Sequence, residues 1–329
     1  MSKILVTGVA GFIGSSLARE LCSADSRHQV VGLDDLSTGN LENIAGLTKL
    51  EFEQGNLQDR ALMDRLCRDV DTIFHEAAIP SVPKSVLDPL TSHKANVDGT
   101  LTLLLAAKEA GVRRIVYAAS SSAYGDSPTL PKQESMPTAP ISPYAVQKLA
   151  GEHYMQSFRR VYGMETVCLR YFNVFGPHQA ADSPYSGVLA KFITSMLEGR
   201  APTIFGDGSQ SRDFTYIDNV VQANMLAVQA PAERVAGNVY NVACGERESL
   251  LETYRLIAEL TGFKEPPVFG PPRTGDVQHS LADITRARVD LGYQPTMGFQ
   301  DGLRRTIAWY RTQSDKAADL GQPTLTAKV

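Results

Sequence analysis

The sequence predicts an α/β protein: a doubly wound parallel sheet joined to a smaller α/β lobe that binds the substrate. Three observations carry this expectation. Short apolar runs alternate with helical patterns through the first half of the chain, as they do when parallel strands are joined by crossover helices. A glycine turn, TGVAGFIG, follows the first strand and opens the first helix. After residue 172 the alternation gives way to turn-rich stretches such as FGPHQAADSPYSG, FGDGSQSRD and FGPPRTGD, the mark of a lobe dominated by loops. The expected division is 1–172 for a dinucleotide domain, 173–313 mainly for the substrate lobe, and 314–329 for a polar, flexible tail.

The elements follow in order. Lys3–Val6 reads as a strand and Ile13–Cys22 as a helix; Val30–Leu33 and Leu50–Phe52 read as strands. Leu62–Cys67 lies on a helix, Thr72–Phe74 is a strand, and Asn96–Ala110 is helical with Leu101, Leu104, Leu105 and Ala106 near one face. RIVYA (Arg114–Ala118) is a strand, Tyr144–Tyr162 a long helix and Thr166–Arg170 one more strand. Val188–Leu197 and Leu250–Leu260 are isolated helical pieces of the lobe.

Composition narrows the functions. The chain has 329 residues, 43% of them hydrophobic, enough for a proper core, and a net charge of −4. That balance asks for neither nucleic acid nor an anionic membrane as partner. The four cysteines (Cys22, Cys67, Cys168, Cys244) form no Cys-x-x-Cys pair, so reduced thiols in a cytoplasmic protein are expected, without metal or disulfide. The apolar run before the first glycine is too short for a secretory signal, and no run is long enough to span a bilayer.

The glycine turn places Gly8, Gly11 and Gly14 at i, i+3 and i+6. Glycine permits a sharp turn and close backbone approach to a pyrophosphate, and the helix N-terminus offers free N–H groups with partial positive charge. This is the context of a Rossmann-type dinucleotide site. Asp34 stands twenty residues beyond Gly14, at the end of the second strand. A carboxylate there can accept from ribose hydroxyls and repels a 2′-phosphate, which favours NAD over NADP. Asp35 is adjacent, and one of the pair can simply face water. Ser37, Thr38, Gly39 and Asn40 form a polar turn suited to the adenosine end.

Tyr144 and Lys148, in SPYAVQKLAGEHY, are four residues apart and share one helix face. A cation beside a phenol favours the phenolate, so the tyrosine is expected to titrate lower and serve as a base. YAASSSAYG ends the preceding strand and sets Ser120, Ser121 and Ser122 where ligands sit in a parallel sheet. His75 reads as structural, His178 and His279 as loop residues without ligand spacing, and Met155 and Met164 as packing residues.

Together these motifs resemble the extended short-chain dehydrogenase/reductases of the nucleotide-sugar epimerase/dehydratase type. The match runs from Gly8 to about Arg288 and includes HEAAIPSVPKS, NVDGT, YAASSSAYG, SPYAVQK, LRYFNVFGP, GDGSQSRDFTYIDNVV and PRTGD. The resemblance implies that Tyr144 takes the proton of the sugar 4-hydroxyl, Lys148 holds the nicotinamide ribose, and Ser120 hydrogen-bonds the 4-oxygen. It implies NAD contacts from Phe12, Ile13, Asn56, Leu57, Ala77, Ala78, Asn96 and Tyr171. For the UDP-sugar it implies Ser81, Asn173, Val188 and Leu189, with Arg212 and Arg273 on the pyrophosphate and Asp276 on the uridine ribose. Relatives usually carry Asp where Asn56 stands. The family also pairs as a homodimer through a four-helix bundle, here Leu101–Ala110 and Ala145–Tyr162; burial within one subunit explains the same apolar pattern.

The serine run separates branches of the family. Sugar 4,6-dehydratases resemble one another in placing Asp-Glu after the residue aligned with Ser120, and UDP-glucuronate decarboxylases have Glu at Ser122. Without those acids the resemblance implies that chemistry stops at a 4-ketose and the hydride returns, which is epimerisation. Ser280 stands where many UDP-galactose 4-epimerases have a bulky tyrosine, leaving room for an N-acetyl group, as in the UDP-N-acetylglucosamine 4-epimerase subgroup. The alternatives are a UDP-glucuronate 4-epimerase, a net nucleotide-sugar oxidoreductase, and a non-catalytic NAD-binding sensor.

Overall fold

The computed structural model describes residues 2–23, 27–181, 187–272 and 277–319. The first half alternates strands with helical segments: β1 (Lys3–Thr7), α1 (Phe12–Leu21), β2 (Gln29–Asp34), a 3₁₀ turn (Leu41–Ile44), β3 (Leu50–Gln54), α2 (Arg60–Leu66), β4 (Val70–His75), then α3 (Val82–Leu87), α4 (Pro89–His93) and α5 (Gly99–Ala110), β5 (Arg114–Ser120), α6 (Pro143–Tyr162) and β6 (Glu165–Tyr171). The expected Asn96–Ala110 helix begins instead as one wide turn of π-helix, Lys94–Asp98, that runs on into α5. Such turns often mark functional positions.

The second half holds β7 (Val174–Phe175), α7 (Val188–Leu197), β8 (Thr203–Phe205), β9 (Ser211–Arg212), β10 (Thr215–Tyr216), α8 (Ile217–Gln229), α9 (Ala232–Val235), β11 (Asn238–Val242), β12 (Glu248–Ser249), α10 (Leu250–Thr261), β13 (Val268–Gly270), α11 (Thr285–Leu291) and α12 (Phe299–Asp319). β7 pairs β10, β9 pairs β12 and β8 pairs β13, three short ribbons among helices. Helix α12 continues to Asp319, past residue 314 where a flexible tail is expected.

The main sheet has seven strands in the order β11-β6-β5-β4-β1-β2-β3. Every pair in it is parallel. β11 comes from beyond residue 172, so the later half of the chain completes the sheet. Alternate residues of each strand feed opposite faces: Ile4, Val6, Val116 and Val167 join one core, Leu5, Ile115, Tyr117 and Cys168 the other. The chain leaves β1 toward β2 and β3 on one side and resumes at β4 on the other. The crevice at that reversal, beyond the carboxyl ends of the strands, is where open α/β sheets bind ligands.

Helix α6 lies close on this sheet. Ser142 caps it, its hydroxyl accepting from Ala145 N–H at 3.2 Å, and Gly163 ends it in the left-handed region at φ 76°. A Cβ on Gly151 would lie 2.2 Å from the Tyr117 hydroxyl of β5. At the next residue the Arg170 guanidinium of β6 grips Glu152 of α6 by two bonds, 2.9 and 2.7 Å, both side chains almost fully buried. Breaking such a buried pair from one side typically costs about 3–5 kcal/mol. Gly151→Ala is expected to push α6 off β5 and destabilise the fold by about 1–3 kcal/mol, read as a lowered midpoint in urea unfolding.

Candidate active site

The glycine turn is built as a cradle. Gly8 has φ 69°, and a Cβ there would lie 2.7 Å from the Ala77 backbone; a Cβ on Gly14 would lie 2.1 Å from Gly8 O. Both positions therefore exclude any side chain. Gly11 starts α1 with no side-chain cap, which leaves its first N–H groups for an anion. Phe12 and Ile13 form the first turn of that helix. Asp34 ends β2 and is 8% exposed; its carboxylate accepts from Ala10 N–H at 2.9 Å and Leu36 N–H at 2.8 Å. Burial pushes this carboxyl up, and the backbone N–H bonds of Leu36, Ala10 and Gly11 hold it back. Asp35 is the exposed member of the pair, accepting from Ser37 N–H at 2.9 Å and from Asn56 Nδ2 at 3.0 Å. Gly39 packs on Asp34, where a Cβ would meet Oδ1 at 2.8 Å, and Thr38 stands exposed beside it. Leu57 is buried next to Asn56. A side-chain-free turn, an uncapped helix end and a carboxylate at the end of β2 fit the pyrophosphate and ribose of NAD.

The catalytic candidates converge at the carboxyl ends of β4, β5 and β6. Ser120 is the last residue of β5, and its Oγ accepts from Ser122 N–H at 3.2 Å and from the Ser122 hydroxyl at 2.8 Å. Tyr144 sits in the first turn of α6, its backbone N–H donating to Ser85 Oγ at 3.0 Å and its phenol near enough to Ser120 for that side chain to oppose the rise in its pKa. Lys148, one turn later, is 4% exposed. Its ammonium lies 4.7 Å from the centre of the Tyr117 ring, whose hydroxyl donates to Lys148 O at 3.2 Å.

The electrostatics correct one expectation. The Tyr144 phenol is not lowered: burial pushes it up to about 12, the nearby Glu76 charge adds to that, and only the Ser120 side chain opposes. Lys148 does not offset this: burial lowers its ammonium to about 8, and that ammonium rests on the Tyr117 ring. Burial likewise holds His75 neutral, down to about 3; its ring nitrogens meet Thr7 Oγ1 at 2.8 Å and Thr100 Oγ1 at 2.9 Å, as a structural histidine should.

Around this centre stand braces. Asn96 accepts from Ile79 N–H at 2.7 Å and donates to Gln147 Oε1 at 2.9 Å, tying the π-turn to α6. Ala77 N–H donates to Thr7 Oγ1 at 3.3 Å, with Ala78 following it at the cleft. Ser81 caps α3, accepting from Lys84 N–H at 3.2 Å, and Ser121 opens the turn after β5. On the lobe side Asn173 adopts φ 37°, in the left-handed region rare for a side-chain-bearing residue. Its amide donates to Asp213 O and to Ser280 Oγ, both at 3.0 Å. Asp213 is buried, accepting from Cys244, Gly245 and Ala282 N–H at 3.0–3.1 Å, and is pushed up to about 7 by burial. Arg212 donates to Ser211 O at 3.0 Å and Gln278 O at 3.1 Å. Val188 opens α7, half-buried, and Leu189 beside it is 2% exposed, its side chain in the core. Arg273 and Asp276 lie outside the described residues.

Several residues at the site escape a reading by motif. Ser85, Tyr117, Gln147, Asn224 and Glu76 are all drawn in by the fold. Ser85, Tyr117 and Gln147 lie inside HEAAIPSVPKS, YAASSSAYG and SPYAVQK without a role read for them, Asn224 lies outside the motifs given above, and Glu76 has the added signal of a charge directly after a buried strand.

Comparison with known proteins agrees with this arrangement. The NAD dependent epimerase/dehydratase family matches residues 4–243. A UDP-glucose 4-epimerase of Mycolicibacterium smegmatis is 42% identical over 317 residues, covering 95% of this chain and 99% of that protein. The solved UDP-N-acetylglucosamine 4-epimerase of Methanobrevibacter ruminantium superimposes with a TM-score of 0.89 at 38% identity, over 95% of this chain and 99% of its own. A UDP-glucuronic acid 4-epimerase of Bacillus cereus, solved with NAD, gives 0.87 at 32% identity, over 94% and 99% of the two chains. With the site geometry above, these matches place the chain in the NAD-dependent epimerase/dehydratase family, with NAD as its cofactor.

Proposed function

We propose that the protein interconverts UDP-GlcNAc and UDP-GalNAc through a transient 4-ketose, and that it accepts UDP-Glc and UDP-Gal as well. That it is an isomerase of UDP-sugars working at C4 follows from its kinship, whose members act on glucose, N-acetylglucosamine and glucuronic acid forms. The observation that carries the reading is the placement of Tyr144, Ser120 and Lys148 at one end of the sheet, with serines at 121 and 122 instead of an acid and a base.

Gly8, Gly11, Gly14 and Asp34 would hold NAD, which when bound would accept the hydride from the sugar C4, return it, and bring positive charge to the cleft. Ser120 fixes the sugar 4-oxygen through its hydroxyl, and Tyr144 takes the 4-hydroxyl proton and later gives it back. Lys148 supplies a cation to the nicotinamide ribose. Since burial and the Glu76 charge hold Tyr144 near 12, its turn as a base depends on positive charge brought close. Asn173, held by Ser280 and Asp213, orients the sugar diphosphate from the lobe side. The ketose turns in the pocket and meets the returning hydride on its other face. The serines at 121 and 122 offer no carboxylate to remove a second proton, so no water is lost.

The acetylated preference rests on Ser280. Its small hydroxyl accepts from Asn173 Nδ2 at 3.0 Å and from Asp213 N–H at 3.3 Å, a site at which a tyrosine ring would fill space beside the sugar. Pure protein given UDP-GlcNAc without added reductant should form UDP-GalNAc with no net NADH; stoichiometric NADH would make it a dehydrogenase. Tyr144→Phe should keep NAD yet lose turnover by about 10²–10⁴-fold, and full activity in that variant would refute the assigned base. Ser280→Tyr should lower the acetylated reaction about tenfold or more relative to the plain one, and an equal loss of both would remove the gate.

A further inference from the structure

The residue after β4, Glu76, stands at the carboxyl end of the sheet with its carboxyl buried against Tyr171 of β6. Its backbone N–H donates to Thr7 O at 3.2 Å, which fixes it at the end of the sheet. Oε1 accepts from the Tyr171 hydroxyl at 2.9 Å. Tyr171 is gripped in turn by Asn224 Nδ2 at 2.8 Å, so α8 and β6 together clamp one side of the carboxylate. Oε2 is buried with no hydrogen-bond partner. A buried, undonated carboxylate oxygen is costly unless a cation compensates it.

Glu76 directly follows His75, which pairs with Tyr117 of β5, and the Lys148 ammonium lies 4.7 Å from the centre of that Tyr117 ring. Lys148 is the cation that acts on Glu76, and Glu76 is the first charge that acts on Lys148 in return. The other titratable groups facing this pair are His75 from β4, Tyr144 from α6, Tyr117 from β5, and Tyr171 and Cys168 from β6. None of those five carries a charge near neutral pH, since burial lowers His75 and raises the other four. Lys148 makes no ion pair within 4.0 Å among the described residues, so the two charges act across the cleft rather than as a closed salt bridge. Burial drives the ammonium toward neutrality, and the Glu76 carboxylate opposes that.

We propose that Glu76 is a positioning residue for Lys148: its carboxylate, clamped by Tyr171, keeps the ammonium charged and aimed into the cleft, and so sets the alkaline limit of epimerisation. This rests on the reading of Lys148 and Tyr144 given above. A hydrogen bond to Tyr171 alone would be a structural role, and two substitutions separate them. Glu76→Gln keeps an acceptor of the same shape for Tyr171 and removes only the charge. Tyr171→Phe removes the hydrogen bond and leaves the charge.

The experiment has two readouts. One is the pH profile of kcat on UDP-GlcNAc for the holoenzyme. The other is the Lys148 titration midpoint, followed by NMR of 13Cε-labelled lysine and assigned by the resonance missing in Lys148→Met. In Glu76→Gln both the midpoint and the alkaline limb of kcat should move to lower pH by about one unit, with kcat at alkaline pH down about tenfold. Glu76→Asp, which keeps the charge on a shorter stem, should lie between, and serves if the glutamine variant folds poorly. Tyr171→Phe, at a residue that also belongs to the cofactor side, is read by the Lys148 midpoint alone, which it should shift less than Glu76→Gln does, because the carboxylate is still present above its own raised titration. An unmoved midpoint in Glu76→Gln, or an equal shift in Tyr171→Phe, overturns the proposal. The NMR midpoint does not depend on the sugar, so absence of epimerisation alongside a shifted midpoint would fault the functional reading and not the pairing.

Discussion

Helix α6 meets β5 across the Tyr117 side chain, with room for nothing more than hydrogen at Gly151: a single carbon added there would lie 2.2 Å from the Tyr117 hydroxyl. The rest of the site is measured from that contact. It brings Lys148 down onto the Tyr117 ring and Tyr144 to the end of β5, within reach of Ser120. The Arg170–Glu152 pair sets the same helix against β6, and Ser85 and Gln147 brace its first turns from the other side. Catalytic geometry of this kind has to be held within fractions of an ångström, and elements packed on a sheet hold it better than loops.

The cost of this packing is electrostatic. Tyr144, Lys148 and Glu76 are taken out of water together, and burial moves each away from its charged form. The charges needed for catalysis therefore depend on one another and on what enters the cleft. On the far side the lobe contributes a second buried carboxyl, Asp213, satisfied by three backbone N–H groups and holding the loops that carry Asn173 and Ser280 in register. The lobe is thus tied to the sheet by polar bonds at the cleft as well as by β11 along its edge.

Much of the fold was legible in the sequence because its signals are local. Alternation of apolar runs located β1 to β6, and the glycine spacing located the cofactor turn. Strand β11 and helices α3, α4, α8 and α12 were not read, because their short or mixed patterns acquire meaning only when they pack on the sheet. At the site, Tyr144, Lys148 and Ser120 were found through spacing and motif order. Their charge states were not: the phenol was expected to fall beside a cation, and burial raised it instead. Glu76 was passed over inside its own motif, since its partners Lys148 and Tyr171 are 72 and 95 residues away in the chain. Burial and long-range pairing are properties of the folded chain, and residue spacing does not encode them.

The central claim is that hydride leaves C4 and returns to the same carbon on its other face. The most direct measurement uses UDP-GlcNAc carrying deuterium at C4, turned over by the holoenzyme and read by NMR of the product. The account predicts UDP-GalNAc with deuterium retained at C4 and no accumulated NADH. Protium at C4 of the product, or NADH formed in step with turnover, would contradict it.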